Sequence, residues 1–256
     1  MPEGRCVVIT GAESGIGSAC AQAFGQIGDR VAVLYFKDDG AAAASVDAVK
    51  AAGGEAIAVQ CAVDQEASVD AAFAVVEKAF GAAQVLVNSA GINMSGIKVR
   101  DMTTATWQRM LATDLTGAFY VSRRFLKGRG SDVSPSAIVH ISSIHAEAVR
   151  VGGADYCSAK GGLTNLVKTL ALEEATTGVR VNAIEPGMIL TPMNEHAVED
   201  ASYRQLLEKN IPMQRAGRPE EIAKMARWLA SDEASYVTGG LFVADGGLSL
   251  LQGVGA

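Results

Sequence analysis

Residues 6–17 read Cys6-Val7-Val8-Ile9-Thr10-Gly11-Ala12-Glu13-Ser14-Gly15-Ile16-Gly17. A short apolar run of strand character meets a turn with three glycines, and a helical pattern opens inside that turn. Each glycine has a separate task in such a turn. Gly11 permits the sharp change of direction, Gly15 lets the backbone approach a pyrophosphate, and Gly17 lets the helix pack against the strand. The helix N-terminus then presents free N–H groups and the positive end of its dipole to an anion. Glu13, Ser14 and Ile16 complete the turn and are candidate cofactor contacts with the glycines. A bare tight turn is the competing reading, and the position of this one between strand and helix argues against it.

Outward from this unit the same alternation continues. Apolar runs at 6–10, 31–35, 56–60, 85–88, 137–142, 179–184 and 241–244 show little polar alternation, as strands covered on both faces do. Helical patterns lie between them near 15–27, 39–52, 66–80, 104–126, 155–177 and 219–230. Alternating strands and helices predict an α/β fold: a doubly wound, seven-stranded parallel Rossmann sheet with right-handed crossovers and helices on both faces. There is no Pro- or Ser-rich linker, so residues 1–256 are read as a single domain. Two stretches break the rhythm. Residues 127–136 form a polar turn, and 188–210 form a long excursion after the sixth strand, expected to be a mobile substrate lid.

Bulk properties narrow the class. Of 256 residues 49% are hydrophobic, which is ample for a core. The net charge is −6 and no basic block stands out, which speaks against a nucleic-acid partner. Cys6, Cys20, Cys61 and Cys157 show neither CxxC nor metal-ligand spacing, so no metal site is expected and the thiols read as reduced in a cytoplasmic protein. The opening MPEGRCVVIT lacks the apolar region and cleavage site of a signal peptide, and no uncharged stretch is long enough to span a bilayer.

In dinucleotide folds an acid at the end of the second strand binds the ribose 2′-hydroxyl and repels a 2′-phosphate. Here that strand ends Leu34-Tyr35-Phe36-Lys37-Asp38. Tyr35 stands where the acid is expected and Lys37 is the nearest cation, which leans toward NADP. Glu13, Asp38 and Asp39 oppose a phosphate, so NAD stays open.

The chemistry is expected at Tyr156 and Lys160. Spacing i, i+4 puts them on one helix face, and of the five tyrosines only Tyr156 has a lysine four residues on. A phenol is a poor base near neutrality, and a neighbouring ammonium favours its phenolate. Such a tyrosine takes a proton from an alcohol during oxidation and gives one to a carbonyl during reduction. Ser143, at the end of the fifth strand, is placed to hydrogen-bond the substrate oxygen.

Taken together these motifs resemble the short-chain dehydrogenase/reductase family over essentially the whole chain. They come in family order: TGxxxGIG at 10–17, Asn88-Ser89-Ala90-Gly91 after the fourth strand, Ser143, YxxxK at 156–160, and Pro186-Gly187 after the sixth. The last third is similar to the bacterial glucose 1-dehydrogenase branch, through SSIH at 142–145, SAKGGL at 158–163, IPM at 211–213, GRPEEIA at 217–223 and the run 228–247. The resemblance implies that Lys160 also holds the nicotinamide ribose, and that Asn88, Ala90 and Gly91 line the cofactor. It implies that Ile189 and Thr191, beyond Pro186 and Gly187, contact the carboxamide. It also implies a homotetramer, with which an apolar C-terminal tail at 248–256 is consistent.

Three departures stand out. The family's fourth catalytic residue is usually Asn; here it is Asp114. A role of that residue's backbone carbonyl survives the change, while a new carboxylate is expected to perturb Lys160 and the pH dependence. The usual Asp-Val after the third strand is Ala62-Val63, leaving Val63 to contact adenine, and Asn88-Ser89 replaces Asn-Asn. His145 and Asn93 are candidate substrate-pocket residues, within the individual stretches 92–99, 144–153 and 188–210. Cys157, Trp107 and Trp228 read as packing. The leading function is an NAD(P)-dependent oxidoreductase acting on a sugar such as glucose or on another secondary alcohol. A carbonyl or 3-oxoacyl-type reductase is the rival enzyme. A cofactor-binding regulator without turnover is encouraged only by Asp114.

Overall fold

The computed structural model describes residues 4–130 and 134–251. Parts of the polar turn at 127–136 and of the C-terminal tail lie outside them. Strands β1 (Cys6–Thr10), β2 (Arg30–Tyr35), β3 (Glu55–Gln60), β4 (Val85–Asn88), β5 (Ser136–Ile141), β6 (Val179–Pro186) and β7 (Leu241–Ala244) form one sheet. Their order is β3-β2-β1-β4-β5-β6-β7, and every neighbouring pair is parallel. The helices are α1 (Gly15–Gly25), α2 (Asp39–Ala51), α3 (Glu66–Phe80), α4 (Thr104–Leu111), α5 (Gly117–Arg129), α6 (Ala154–Glu173), α7 (Glu195–Glu199), α8 (Ala201–Glu208) and α9 (Pro219–Leu229). None is long and apolar enough to cross a membrane.

Side chains of a strand alternate between faces, and β1 feeds two cores in this way. Val7 and Ile9 join Phe24, Val49, Ile222 and Leu229 beneath α1, α2 and α9. Val8 joins Phe73, Val121, Phe125 and Val167 beneath α3, α5 and α6. The central strands β1, β4 and β5 are buried throughout, as their unbroken apolar runs predict. The edges differ from that expectation. β3 alternates, with Glu55, Ala58 and Gln60 exposed, and Val243 of β7 is half exposed. An edge strand has one neighbour fewer, and its side chains reach solvent past the last helix.

The pattern at 104–126 predicts one helix, and the structure breaks it. Between α4 and α5, Ala112–Thr116 forms a turn of π-helix. Such a turn inserts a residue into the helical ladder and is frequent at functional sites; Asp114 lies within it. The 188–210 excursion is likewise more regular than an open loop. It holds a 3-10 turn at Pro192–Asn194 followed by α7 and α8.

The site's position follows from topology. β1 leads to β2 on one side and has β4 on the other, so the crossovers leave in opposite directions and open a crevice at the strands' carboxyl ends. Thr10 pairs in register with Leu34 and with Asn88, which brings three strand ends level around it. Gly17 sets how closely α1 approaches: a Cβ there would lie 2.1 Å from the Gly11 carbonyl oxygen. Gly17→Ala is therefore expected to cost about 1–3 kcal/mol by overpacking, seen as a melting temperature lowered by about 2–4 °C for each kcal/mol. An unchanged melting temperature would show that α1 can move away freely.

Candidate active site

The glycine-rich turn takes the conformation its sequence asks for. Gly11 and Gly15 have φ of 61° and 53°, in the left-handed region that favours glycine. The Ala12 N–H donates to the Leu34 carbonyl at 3.0 Å, fastening the turn to the end of β2. Ser14 is the exposed N-cap of α1, and its side chain makes no capping hydrogen bond. The first N–H groups of α1 therefore face the cleft without a side-chain acceptor, as an anion site requires. On the other side of β1, the Thr10 hydroxyl accepts from the Ser89 and Ala90 N–H groups at 3.1 and 3.0 Å. These bonds hold the chain after β4 against the turn.

A continuous cleft runs from this turn across the sheet edge. Gly11, Glu13, Ser14, Gly15 and Ile16 line one end, and Ala90, Gly91 and Asp114 the middle. Ser143, Tyr156 and Lys160 stand at the far end, with Pro186, Gly187, Ile189 and Thr191 along the wall. Most of the site residues expected from sequence thus meet in one place. The fit to a dinucleotide is good: an uncapped helix N-terminus for phosphate lies at one end and a buried tyrosine–lysine pair at the other.

Other expected residues stand elsewhere. Gly17 is buried in the α1–β1 contact. Asn88 is turned into the sheet; it accepts from the Thr10 hydroxyl at 3.0 Å, and its amide lies 3.3 Å from His140 Nδ1. Val63 is buried against Gly117. Tyr35 is half buried, and the Asp39 carboxylate hydrogen-bonded to its hydroxyl raises that phenol above its ordinary value. Lys37 lies with its ammonium 4.7 Å from the Phe36 ring centroid, outside the cleft lining. Asn93 donates to the Met193 carbonyl at 3.2 Å and so joins the excursion to the loop after β4. His145 is held by the Ala148 carbonyl, 2.6 Å from its Nδ1, with its ring edge-on to Tyr156 at 6.3 Å.

At the chemical end, α6 presents Tyr156 and Lys160 on one face, as the i, i+4 spacing requires. Both are buried, with the ammonium 5.4 Å from the phenol ring centroid. Lys160 also donates to the Ile141 carbonyl at 3.3 Å. Ser143 accepts the His145 N–H at 3.1 Å, which leaves its hydroxyl hydrogen free to turn into the cleft. Asp114 accepts the Ile92 N–H on Oδ1 at 2.9 Å, and its Oδ2 lies 3.1 Å from Lys160 Nζ. That second contact is an ion pair whose angle falls short of an aligned hydrogen bond. Gly91 accommodates the pair, since a Cβ there would come 2.8 Å from Asp114 Oδ2.

The electrostatics follow. Burial alone would lower Lys160, but the Asp114 carboxylate and then Tyr156 outweigh it and hold the lysine above its ordinary value. Burial pushes Asp114 up, with the Lys160 ammonium and the Ile92 N–H pulling against it. Burial and then the Lys160 charge lower His140 to about 3, so it is a neutral link between Asn88 and Ser122. Cys6, Cys20 and Cys61 are inert by the same physics: burial raises Cys6 and Cys61 to about 11 and Cys20 to about 12. Among the described residues no cluster of His, Cys, Asp and Glu could hold a metal ion.

Sequence reasoning missed several lining residues, Ser89, Ile141 and Ser142, and named Met193 and Asn194 only as part of the substrate-facing stretch 188–210. It also missed Asp155, which is fully buried. Its carboxylate takes the Tyr156 N–H at 2.8 Å and the Ser95 N–H at 3.3 Å, so it fixes the start of α6 against the loop after β4. The only sequence signal for it was an acid in the first turn of a helix.

Comparison with known proteins agrees with this geometry. The sequence model of a family described as enoyl-(acyl carrier protein) reductase matches residues 11–249. The chain is 41% identical over 251 residues to 3beta-hydroxysteroid dehydrogenase 1 of Eggerthella lenta, covering 98% of this chain and 96% of that protein. It is 36% identical over 247 residues to glucose 1-dehydrogenase 2 of Bacillus subtilis, covering 96% and 95%. A solved short-chain dehydrogenase/reductase of Serratia marcescens, 29% identical, aligns with a TM-score of 0.89 over 97% of this chain and 100% of that one.

Proposed function

The chain belongs to the short-chain dehydrogenase/reductase family, and from that premise we propose that Tyr156 is the general acid/base of an oxidoreductase acting on secondary alcohols and carbonyls. The observation that carries this reading is the single cleft joining the glycine-rich turn to Ser143, Tyr156 and Lys160. A nicotinamide dinucleotide bound along the cleft would accept or supply the hydride. Gly11, Gly15 and the α1 N-terminus would hold its pyrophosphate; Ala90, Gly91, Ile189 and Thr191 would flank it. In the direction of oxidation the substrate's hydroxyl proton passes to the Tyr156 oxygen as the hydride leaves carbon. In reduction Tyr156 returns that proton to the carbonyl oxygen. Lys160 stabilises negative charge on the phenol, and Asp114 positions Lys160. Ser143 donates its free hydroxyl hydrogen to the substrate oxygen and orients it.

On the substrate side, the similarity to glucose 1-dehydrogenases in the last third supports a sugar such as glucose. A specific observation favours a less polar alcohol. Ile92 and Met94 pack against the small apolar cluster of Met110, Tyr156 and Ala159, Met193 lines the cleft, and Val149 and Val151 are largely exposed on the loop before α6. One nitrogen of each nearby polar side chain, Asn93 Nδ2, His145 Nδ1 and Asn194 Nδ2, is engaged by a backbone carbonyl. An apolar alicyclic alcohol, of the kind named for the Eggerthella lenta relative, suits such walls better than a polyol. A carbonyl or 3-oxoacyl-type reductase uses the same constellation in the opposite direction. Residues 188–210 would act as a lid, because Thr191 and Met193 line the cleft while α8 has no buried residue. A cytoplasmic homotetramer is the assembly we infer, by analogy with the family.

The test is nicotinamide absorbance on mixing the purified protein with NAD or NADP and glucose, other aldoses and apolar secondary alcohols. Reduction with an apolar alcohol and not with glucose would support the reading above. Reduction with glucose alone would return the substrate to the sugars. Silence with alcohols and ketones alike, with dinucleotide still binding, would mean a regulator without turnover.

A further inference from the structure

We propose that Glu13 is this chain's acceptor for the adenosine ribose 2′-hydroxyl, and that it makes the cleft select NAD over NADP. The inference rests on the dinucleotide reading of the cleft and concerns the end far from Tyr156. Folds of this kind take the ribose acceptor from the end of β2, where this chain has Tyr35, a phenol with no carboxylate to offer. The carboxylate arrives there by another route. Glu13 reaches from the glycine-rich turn to the end of β2, and its Oε1 accepts the Phe36 N–H at 3.1 Å. The Ala12–Leu34 bond next to it fixes that reach.

The other oxygen then has nothing to bind. Oε2 is buried, and no donor reaches it, although Glu13 lines the cleft. A buried acceptor without a donor is costly and uncommon. Oε2 is closed to solvent, so a turn of the carboxylate toward the cleft would bring it to a ribose hydroxyl, which would supply the missing proton. A 2′-phosphate would supply none, and would set negative charge against Glu13 with Asp38 and Asp39 beside it. Asp38 is engaged in capping α2 through the Ala41 N–H at 2.9 Å, and that bond leaves its charge in place. The one cation in this stretch, Lys37, lies over the Phe36 ring. The balance of charge reverses the lean toward NADP that Lys37 suggests in the sequence.

Isothermal titration with NAD and with NADP, without substrate, reads this directly. The wild-type chain is expected to bind NAD at least about tenfold more tightly. Glu13→Gln keeps an oxygen for the Phe36 N–H and removes the charge, so NADP affinity should rise until the two constants agree within about threefold. Lys37→Ala should leave the NAD/NADP ratio unchanged. Wild-type preference for NADP, a ratio unmoved by Glu13→Gln, or NADP affinity lost in Lys37→Ala would each overturn the assignment of Glu13. The wild-type ratio needs no variant to fold. If neither dinucleotide bound the wild-type chain, the reading of the whole cleft would fail, and that result is distinct from a wrong choice between two bound cofactors.

Discussion

Tyr156→Phe is expected to lower kcat by about 10³-fold while dinucleotide binding and folding are retained. The substitution deletes one oxygen and nothing else. The ring still fills its place against Met110 and Ala159 and still meets the edge of His145. Stability should therefore change by no more than about 1 kcal/mol, the worth of one hydrogen bond. The lost oxygen is the group we propose exchanges a proton with substrate, the Ser143 hydroxyl serving only to orient it. Lys160 cannot replace it, since its ammonium is held by Asp114 and the Ile141 carbonyl. Initial rates, dinucleotide titration and thermal melting together separate the possibilities. A variant that kept a tenth or more of its turnover would remove Tyr156 from the chemistry. A variant that lost binding and turnover together would assign the residue to cofactor binding.

Much of this site was legible before the structure because its residues are local in sequence. The turn at 10–17 and the pair Tyr156–Lys160 each lie on one strand–helix unit, so spacing alone sets their geometry. Strands β1, β4 and β7 begin and end where the apolar runs do. What was hidden depends on contacts between distant segments. The π turn at Ala112–Thr116 leaves the apolar spacing of 104–126 nearly intact, and a one-residue bulge in a helix has no periodic signature. It is held by Asp114 reaching Ile92 and Lys160 from elsewhere in the chain. Asn88 has the sequence position of a cofactor contact, but its amide turns to Thr10 and His140, a choice made by the neighbouring strands. Glu13 was visible as a charge opposing phosphate. Its bond to Phe36 exists because β1 and β2 are adjacent and in register, which no single segment discloses.

Lys160→Met is expected to abolish measurable turnover and also to destabilise the fold by about 3–5 kcal/mol near neutral pH, because it strands a buried charge. For a chain of this length that is a melting temperature lower by roughly 6–20 °C. The side chain of Asp114 is fully buried, and without the ammonium only the Ile92 N–H remains to it. The pH dependence has a definite sign. Burial already raises Asp114 above its ordinary 3.8, and removing Lys160 removes the main influence pulling it down. A carboxyl raised in the folded state favours folding in its protonated form. That contribution is complete below about 3.8 and is lost as pH rises through the folded value. The variant should therefore approach wild-type stability near pH 4 and fall furthest behind it by pH 8. Asp114→Asn added to Lys160→Met should restore stability and leave turnover absent, which separates the structural cost from the chemical one. Asp114→Asn alone should keep turnover but move its alkaline limb to lower pH, because Lys160 then faces burial without its carboxylate. Equal loss of stability at pH 4 and pH 8 in Lys160→Met, with an unchanged pH–rate profile in Asp114→Asn, would show that the two residues are neighbours without being coupled.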